Sequence, residues 1–198
     1  MPRAICPQPG LTGMIDLTPS RCALKRIGGI DKRIFVGSLS DVAGFTTNTA
    51  GEIITLVMKT GKQLYALVGK PYEGNHNTNF ADNPNATLYE QTVNFISYVD
   101  TQQEKNAIEL LRDQDDLFVI VMNNYGRFEA FGLVGMEGRP AQGLRITGGG
   151  HGIEAAAGGG SGTPLTFTGT ESRLPVYTNF ADDAALEVEY LEALLIAA

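Results

Sequence analysis

The chain has 198 residues, 43% of them hydrophobic and 19% charged, with 24 glycines, no tryptophan and a net charge of −7. That length fits one domain with a core of its own, and the composition excludes a disordered chain. No run approaches the roughly 18 apolar residues that span a bilayer, and the opening MPRAICPQPG lacks an apolar signal-peptide stretch, so synthesis in a cytoplasm is expected, with Cys6 and Cys22 as thiols.

Charge is distributed unevenly. Residues 1–145 hold 14 of the 15 bases and 15 of the 22 acids. Residues 146–198 hold one base, Arg173, against Glu154, Glu171, Asp182, Asp183, Glu187, Glu189 and Glu192. An acidic surface repels phosphate, which argues against a protein that grips DNA. Such a surface suits a wall past which DNA slides; simple solubility is the plainer account.

Residues 1–33 contain Pro2, Pro7, Pro9 and Pro19 and show no sustained period, so they read as an extended arm. Strand signals follow. Arg33–Leu39 is short and apolar. Glu52–Met58 and Gln63–Gly69 are rich in β-formers and flank KTGK, a pattern that predicts a β-hairpin. Residues 70–87, KPYEGNHNTNFADNPNAT, read as a long polar loop, and Leu88–Val99 as a long strand. Asp100 with Gln103 three residues on predicts a capped helix ending near Asp113, with Ala107, Ile108 and Leu111 on one face.

Leu117–Met122 is a continuous apolar run and predicts a buried strand. NNYG then turns the chain into Arg127–Val134 as the return strand. Residues 138–162 read as loop, with GGGHG and AAAGGGSG in them, and Thr163–Gly169 is a further strand. After residue 182 the segment alternates like a strand, but its Ala, Leu and Glu content tips it to a helix. TNFAD occurs at 78–82 and again at 178–182. Chance or shared turn chemistry is the expected cause, and a duplicated contact element is the alternative.

The residues needed for catalysis do not gather in the sequence. His76 and His151 are the only histidines, and neither they nor the two cysteines show metal-ligand spacing. There is no G-x-S-x-G elbow and no GK[ST] phosphate loop. Asp113, Asp115 and Asp116 follow a helix and read as a solvated turn. No catalytic, cofactor-binding or metal residues and no cofactor are therefore expected. What remains is surface. The 70–87 segment carries Tyr72 and Phe80 as anchors for a neighbouring molecule, and Tyr72, Asn75, Asn79, Phe80 and Asn83 are the candidate oligomer-contact residues.

Several motifs together carry a resemblance. They are YEQTV at 89–93, NAIELL at 106–111, VIVMNNYGRFEAFG at 119–132, GMEG at 135–138 and LTFTGTESRLPVY at 165–177, with the early CALKRIGGIDKRIFVG at 22–37. The chain resembles the tail tube proteins of phages and prophages of the Bacteroides group over about three quarters of its length. The acidic, Ala/Leu-rich ending after Asp182 departs from that pattern.

The resemblance implies a mainly β fold, a β-sandwich or half-barrel with one flanking α-helix, an extended N-terminal arm and a long inter-strand loop. Residues 1–33 would be the arm, 34–182 the β domain and 183–198 a C-terminal segment. It implies a non-enzymatic virion protein, assembled in the host cytoplasm. Six copies would form rings that stack into a tube. The partners would be further copies and other tail proteins, with DNA passing through the lumen unbound and no membrane involved. The alternatives are another virion part (a tail terminator, a head–tail connector ring or a decoration protein) and, from a different class, a small β-rich enzyme or carbohydrate-binding module.

Overall fold

The computed structural model describes residues 30–69, 73–81, 88–98, 101–123, 126–135, 140–149, 162–181 and 184–195. In chain order these form β1 (Ile30–Ser38), a 3-10 turn (Leu39–Asp41), β2 (Val42–Thr47), β3 (Ile53–Met58), β4 (Tyr65–Val68), β5 (Asn75–Ala81) and β6 (Leu88–Ser97). Then come α1 (Gln102–Arg112), β7 (Leu117–Asn123), β8 (Phe128–Phe131), β9 (Arg145–Gly149), β10 (Thr163–Glu171), β11 (Val176–Tyr177) and α2 (Ala184–Ala193). The protein is mainly β, with three antiparallel sheets and two helices. The sheets run β11-β8-β7-β1-β4, β5-β6-β10-β9, and the ribbon β2-β3.

The five-stranded sheet is the middle layer. Its β7 is apolar on every one of its first five residues because both faces are covered. Val119 and Val121, with Ile34, Val36 and Phe131, pack against Val93, Phe95, Leu165 and Phe167 of the four-stranded sheet. Phe118 and Ile120, with Phe35 and Phe128, face the other way and pack with Ile53 and Leu56 of the ribbon and Leu191 of α2. Six of the nine phenylalanines are fully buried in these two cores, each contributing about 1.5–3 kcal/mol through area removed from water. Packing is close at Gly37. A Cβ there would stand 2.6 Å from the Phe118 ring and 2.8 Å from Leu64.

One polar side chain bolts the two large sheets together. Gln91 of β6 is buried, donates through Nε2 to the Arg173 carbonyl (2.8 Å) and accepts through Oε1 from the Gly132 amide (2.9 Å). On the far side of the middle layer, Tyr190 of α2 holds the ribbon. Its hydroxyl donates to the Leu56 carbonyl (2.9 Å) and accepts from the Leu56 amide (3.1 Å).

Several expectations from the sequence need correction. The hairpin over 52–69 does not form. KTGK does turn, with Gly61 at φ 74° and Lys62 N–H bonded to the Lys59 carbonyl. However, β3 pairs with β2, whereas β4 pairs with β1 through Arg33↔Val68 to Val36↔Tyr65. Buried Leu64 draws the chain away from the ribbon into the core under the middle sheet, so the turn links two layers rather than two partners.

The polar 70–87 segment contains β5, and the Gly-rich 138–162 segment contains β9. Each of these is an edge strand supported by an apolar neighbour. Ile30–Arg33, expected in the arm, belong to β1; residues 1–29 lie outside the described residues. The α1 cap is Thr101, not Asp100 (itself outside them). Thr101 Oγ1 accepts from the Glu104 amide, and the Glu104 carboxylate reaches back to the Thr101 amide at 2.8 Å. That reciprocal pair satisfies two otherwise orphaned donors. Within the 183–198 segment Ala184–Ala193 are helical and a turn follows at 194–195.

Candidate assembly surface

The four-stranded sheet has two unlike faces because side chains alternate along a strand. On β6 and β10 the inward set is Val93, Phe95, Leu165 and Phe167, all buried. The outward set is Leu88, Glu90, Thr92, Asn94 and Ile96 of β6 and Pro164, Thr166, Thr168 and Thr170 of β10, polar in its middle with Leu88, Ile96 and Pro164 toward the ends. The registers Asn75↔Asn94 and Asn94↔Thr166 continue this outward face onto β5, and Thr168↔Arg145 carries it to β9.

Amides and hydroxyls on that face bond sideways. Asn94 donates to Asn75 Oδ1 (2.8 Å), Thr166 to Asn94 Oδ1 (2.9 Å), Thr168 to Thr147 (2.9 Å) and Asn77 to Asn79 (3.1 Å). The charged residues at these outward positions are Glu90 and Arg145, one of each sign. The described acids of the C-terminal region lie elsewhere. Glu171 and Glu187 are buried, and Glu192 pairs with Arg33 of β1.

Among the described residues the edges of this sheet are tied to the five-stranded sheet only at their starts, by the Leu144–Leu117 bridge before β9 and by the Ile30 amide on the Gly74 carbonyl before β5. Among the described residues no strand pairs with the outer side of β5 or of β9. The four strands alternate in direction, so β5 and β9 run oppositely.

The sequence-predicted contact residues divide accordingly. Asn75 and Asn79 stand on the outward face of β5. Phe80 is on the opposite side, 78% exposed, with its ring tilted against Tyr89 at 5.6 Å. Tyr72 and Asn83 lie outside the described residues. The two TNFAD copies differ in conformation: Thr78–Ala81 are strand, whereas Thr178 bridges Ile53 and residues 179–181 follow as a coil and bend. The repeat is not a duplicated element.

Among the described residues no three His, Cys, Asp or Glu side chains gather as a metal site. His76 lies in β5, not in a loop. Its Nε2 is 3.7 Å from Glu129, and its ring is 5.1 Å from that of Phe131.

A groove of about 330 Å³ opens where the two large sheets end, lined by Gly51, Tyr89, Arg173, Leu174, Pro175 and Tyr177 among others. Beside it Arg127 lies over the Tyr177 ring at 4.1 Å and pairs with Glu52 at 2.9 Å.

Two carboxyls are held above their ordinary range, chiefly by burial. Glu171 accepts from the Gly143 and Gln142 amides, and Glu187 from the Phe180 amide and the Thr178 hydroxyl; both sets only partly oppose that rise. Asp116 goes the other way. Its burial is outweighed by hydrogen bonds from the Ser38 hydroxyl and the Ser40 amide.

In comparisons with family models, curated proteins and solved structures, nothing matches the chain.

Proposed function

We propose that this protein is a self-assembling structural subunit of a virion, a tail tube protein whose four-stranded sheet lines a lumen. The observation that carries the reading is the combination on that sheet of two open, oppositely directed edges and a polar, charge-balanced outer face. A barrel abolishes edges. Because β5 and β9 are antiparallel, β5 of one copy pairs with β9 of the next without breaking the alternation. Six copies of four strands, spaced about 4.8 Å and tilted about 40°, close into a barrel roughly 48 Å across. That leaves room for duplex DNA after side chains.

The lining would be Asn and Thr rather than acidic. Such groups hydrogen-bond one another, and Glu90 offsets Arg145, so the lining would offer phosphate no net positive charge and DNA would pass without being held. Phe80, exposed beside the β5 edge, would anchor against the neighbouring copy.

The rival reading, a small carbohydrate-binding module or enzyme, draws on the groove with Tyr89, Tyr177 and Arg173. Electron microscopy of the purified protein at high concentration separates the two. Rings or tubes are expected. A protein that stays monomeric and binds an oligosaccharide in the groove would overturn the proposal.

A further inference from the structure

We infer that Glu171, at the end of β10, is a proton-dependent latch on residues 142–144, the segment that ties the start of β9 to the five-stranded sheet. With the carboxyl protonated the segment stays closed, and ionisation favours its release. The latch does not depend on the tube reading.

The carboxyl is buried with half of it unserved. Glu171 is 1% exposed. Its Oε1 accepts from the Gly143 amide (2.8 Å) and the Gln142 amide (3.0 Å). Its Oε2 is buried as well and, among the described residues, accepts nothing. A buried carboxylate needs a counter-charge or a full set of donors. Among the described residues the groups around it are engaged elsewhere. Tyr89, opposite on β6, packs its ring against Phe80. Asp116, beside Gly143, is held by Ser38 and Ser40. Arg145 of β9 belongs to the outward face, and the Arg173 guanidinium lies against Gly51. Two amides alone therefore offset the burial, and the carboxyl is held above its ordinary range.

The segment that supplies those amides is short and closely packed. A Cβ on Gly169 of β10 would stand 2.4 Å from the Gly143 carbonyl oxygen, and one on Gly143 would stand 2.8 Å from the Asp116 backbone. Gly143 itself sits at φ 84°. Leu144 is fully buried and exchanges both backbone bonds with Leu117 of β7, at 2.6 and 2.9 Å. The segment is thus a clamp with two bonds on Glu171 and two on Leu117. An ionised Glu171 regains its hydration only when the clamp opens. A protonated one, with the proton on Oε2 and Oε1 still accepting both amides, gains little by opening. β9 begins at Arg145, so the proton decides how firmly that edge is anchored.

The sign follows from linkage. The closed carboxyl titrates above 4.5, and the opened one near its ordinary value of about 4.5. Opening should therefore grow as pH rises from about 4.5, by up to about tenfold per pH unit, and level off once the closed state is ionised too.

Hydrogen exchange of the full chain, read by mass spectrometry at a series of pH values and corrected for intrinsic exchange, tests this. In the wild type, protection over residues 140–145 should fall through that window several-fold more than protection over residues 119–123 of β7, which reports global unfolding. Glu171→Gln is neutral at every pH and keeps an acceptor for both amides. It should remove the slope and leave 140–145 as protected at neutral pH as the wild type is in acid. Thermal melts establish that the variant folds; if it does not, the wild-type series decides alone. Wild-type protection that is flat across the window, or that falls only in step with β7, overturns the latch. So does a slope that persists in folded Glu171→Gln.

Discussion

On β7 of the five-stranded sheet, Val119 and Phe118 point to opposite faces, and both meet hydrophobic core. On β6 of the four-stranded sheet, Val93 meets core while Thr92 and Asn94 meet solvent. The first sheet is thus a structural middle layer with no face left to offer. The second is a wall, committed on one side and available on the other. Under the tube proposal that asymmetry is what the function uses, since a face and edges left without partners among the described residues can repeat from copy to copy.

The largest expected effect tests the middle layer. Phe118→Ala empties a space shared by Gly37, Leu64 and the ribbon core, and should lower stability by about 3–5 kcal/mol in urea denaturation. A loss below about 1 kcal/mol would mean that the layer is not packed on both faces.

Next comes the bolt between the sheets. Gln91→Leu leaves the buried Gly132 N–H and the Arg173 carbonyl unpaired, and should cost about 1–3 kcal/mol for each. Gln91→Glu would distinguish shape from hydrogen bonding, because it keeps one acceptor and loses the donor.

A smaller effect is set by pH. Glu171 and Glu187 titrate above 4.5 when folded, so between 4.5 and those raised values the folded state binds more protons than the unfolded. Stability should rise as pH falls through that window. Asp116 is depressed below 3.8, so its contribution is lost as pH falls further, through its folded value. The melting temperature should therefore increase from neutral pH toward about 4.5 and decline below about 3.8. Glu187→Gln, which keeps an acceptor for Thr178 and Phe180, should flatten the upper part of that curve. An unchanged profile would remove Glu187 as its source.

The smallest effect belongs to the outer wall. Thr168→Ala should change stability by no more than about 0.5 kcal/mol, because its hydroxyl bonds Thr147 on a solvated face. A large loss there would show that the face is structural rather than available.

Much of the local structure was legible in the sequence. Leu117–Met122 announced a buried strand, since six consecutive apolar residues leave no polar side. β6, β10 and α1 followed from alternation, β-formers and helical spacing. Asn75, Asn79 and Phe80, expected as contact residues in a loop, lie exposed on β5. β5 was missed because Asn-His-Asn-Thr-Asn carries no apolar alternation; its strand conformation comes from pairing with β6. β2 was missed for a similar reason.

Apart from the β7–β8 hairpin, where NNYG marked the turn, pairing was beyond reach. Strand propensity is a property of a few neighbouring residues, whereas a partner is chosen by which face finds a core. Leu64, one buried residue beyond a perfectly good turn, sends β4 to β1 and leaves β3 to β2. The side on which the acids fall was settled in the same way. Glu171 and Glu187 are buried by what packs over them, and their order along the chain contains no trace of that.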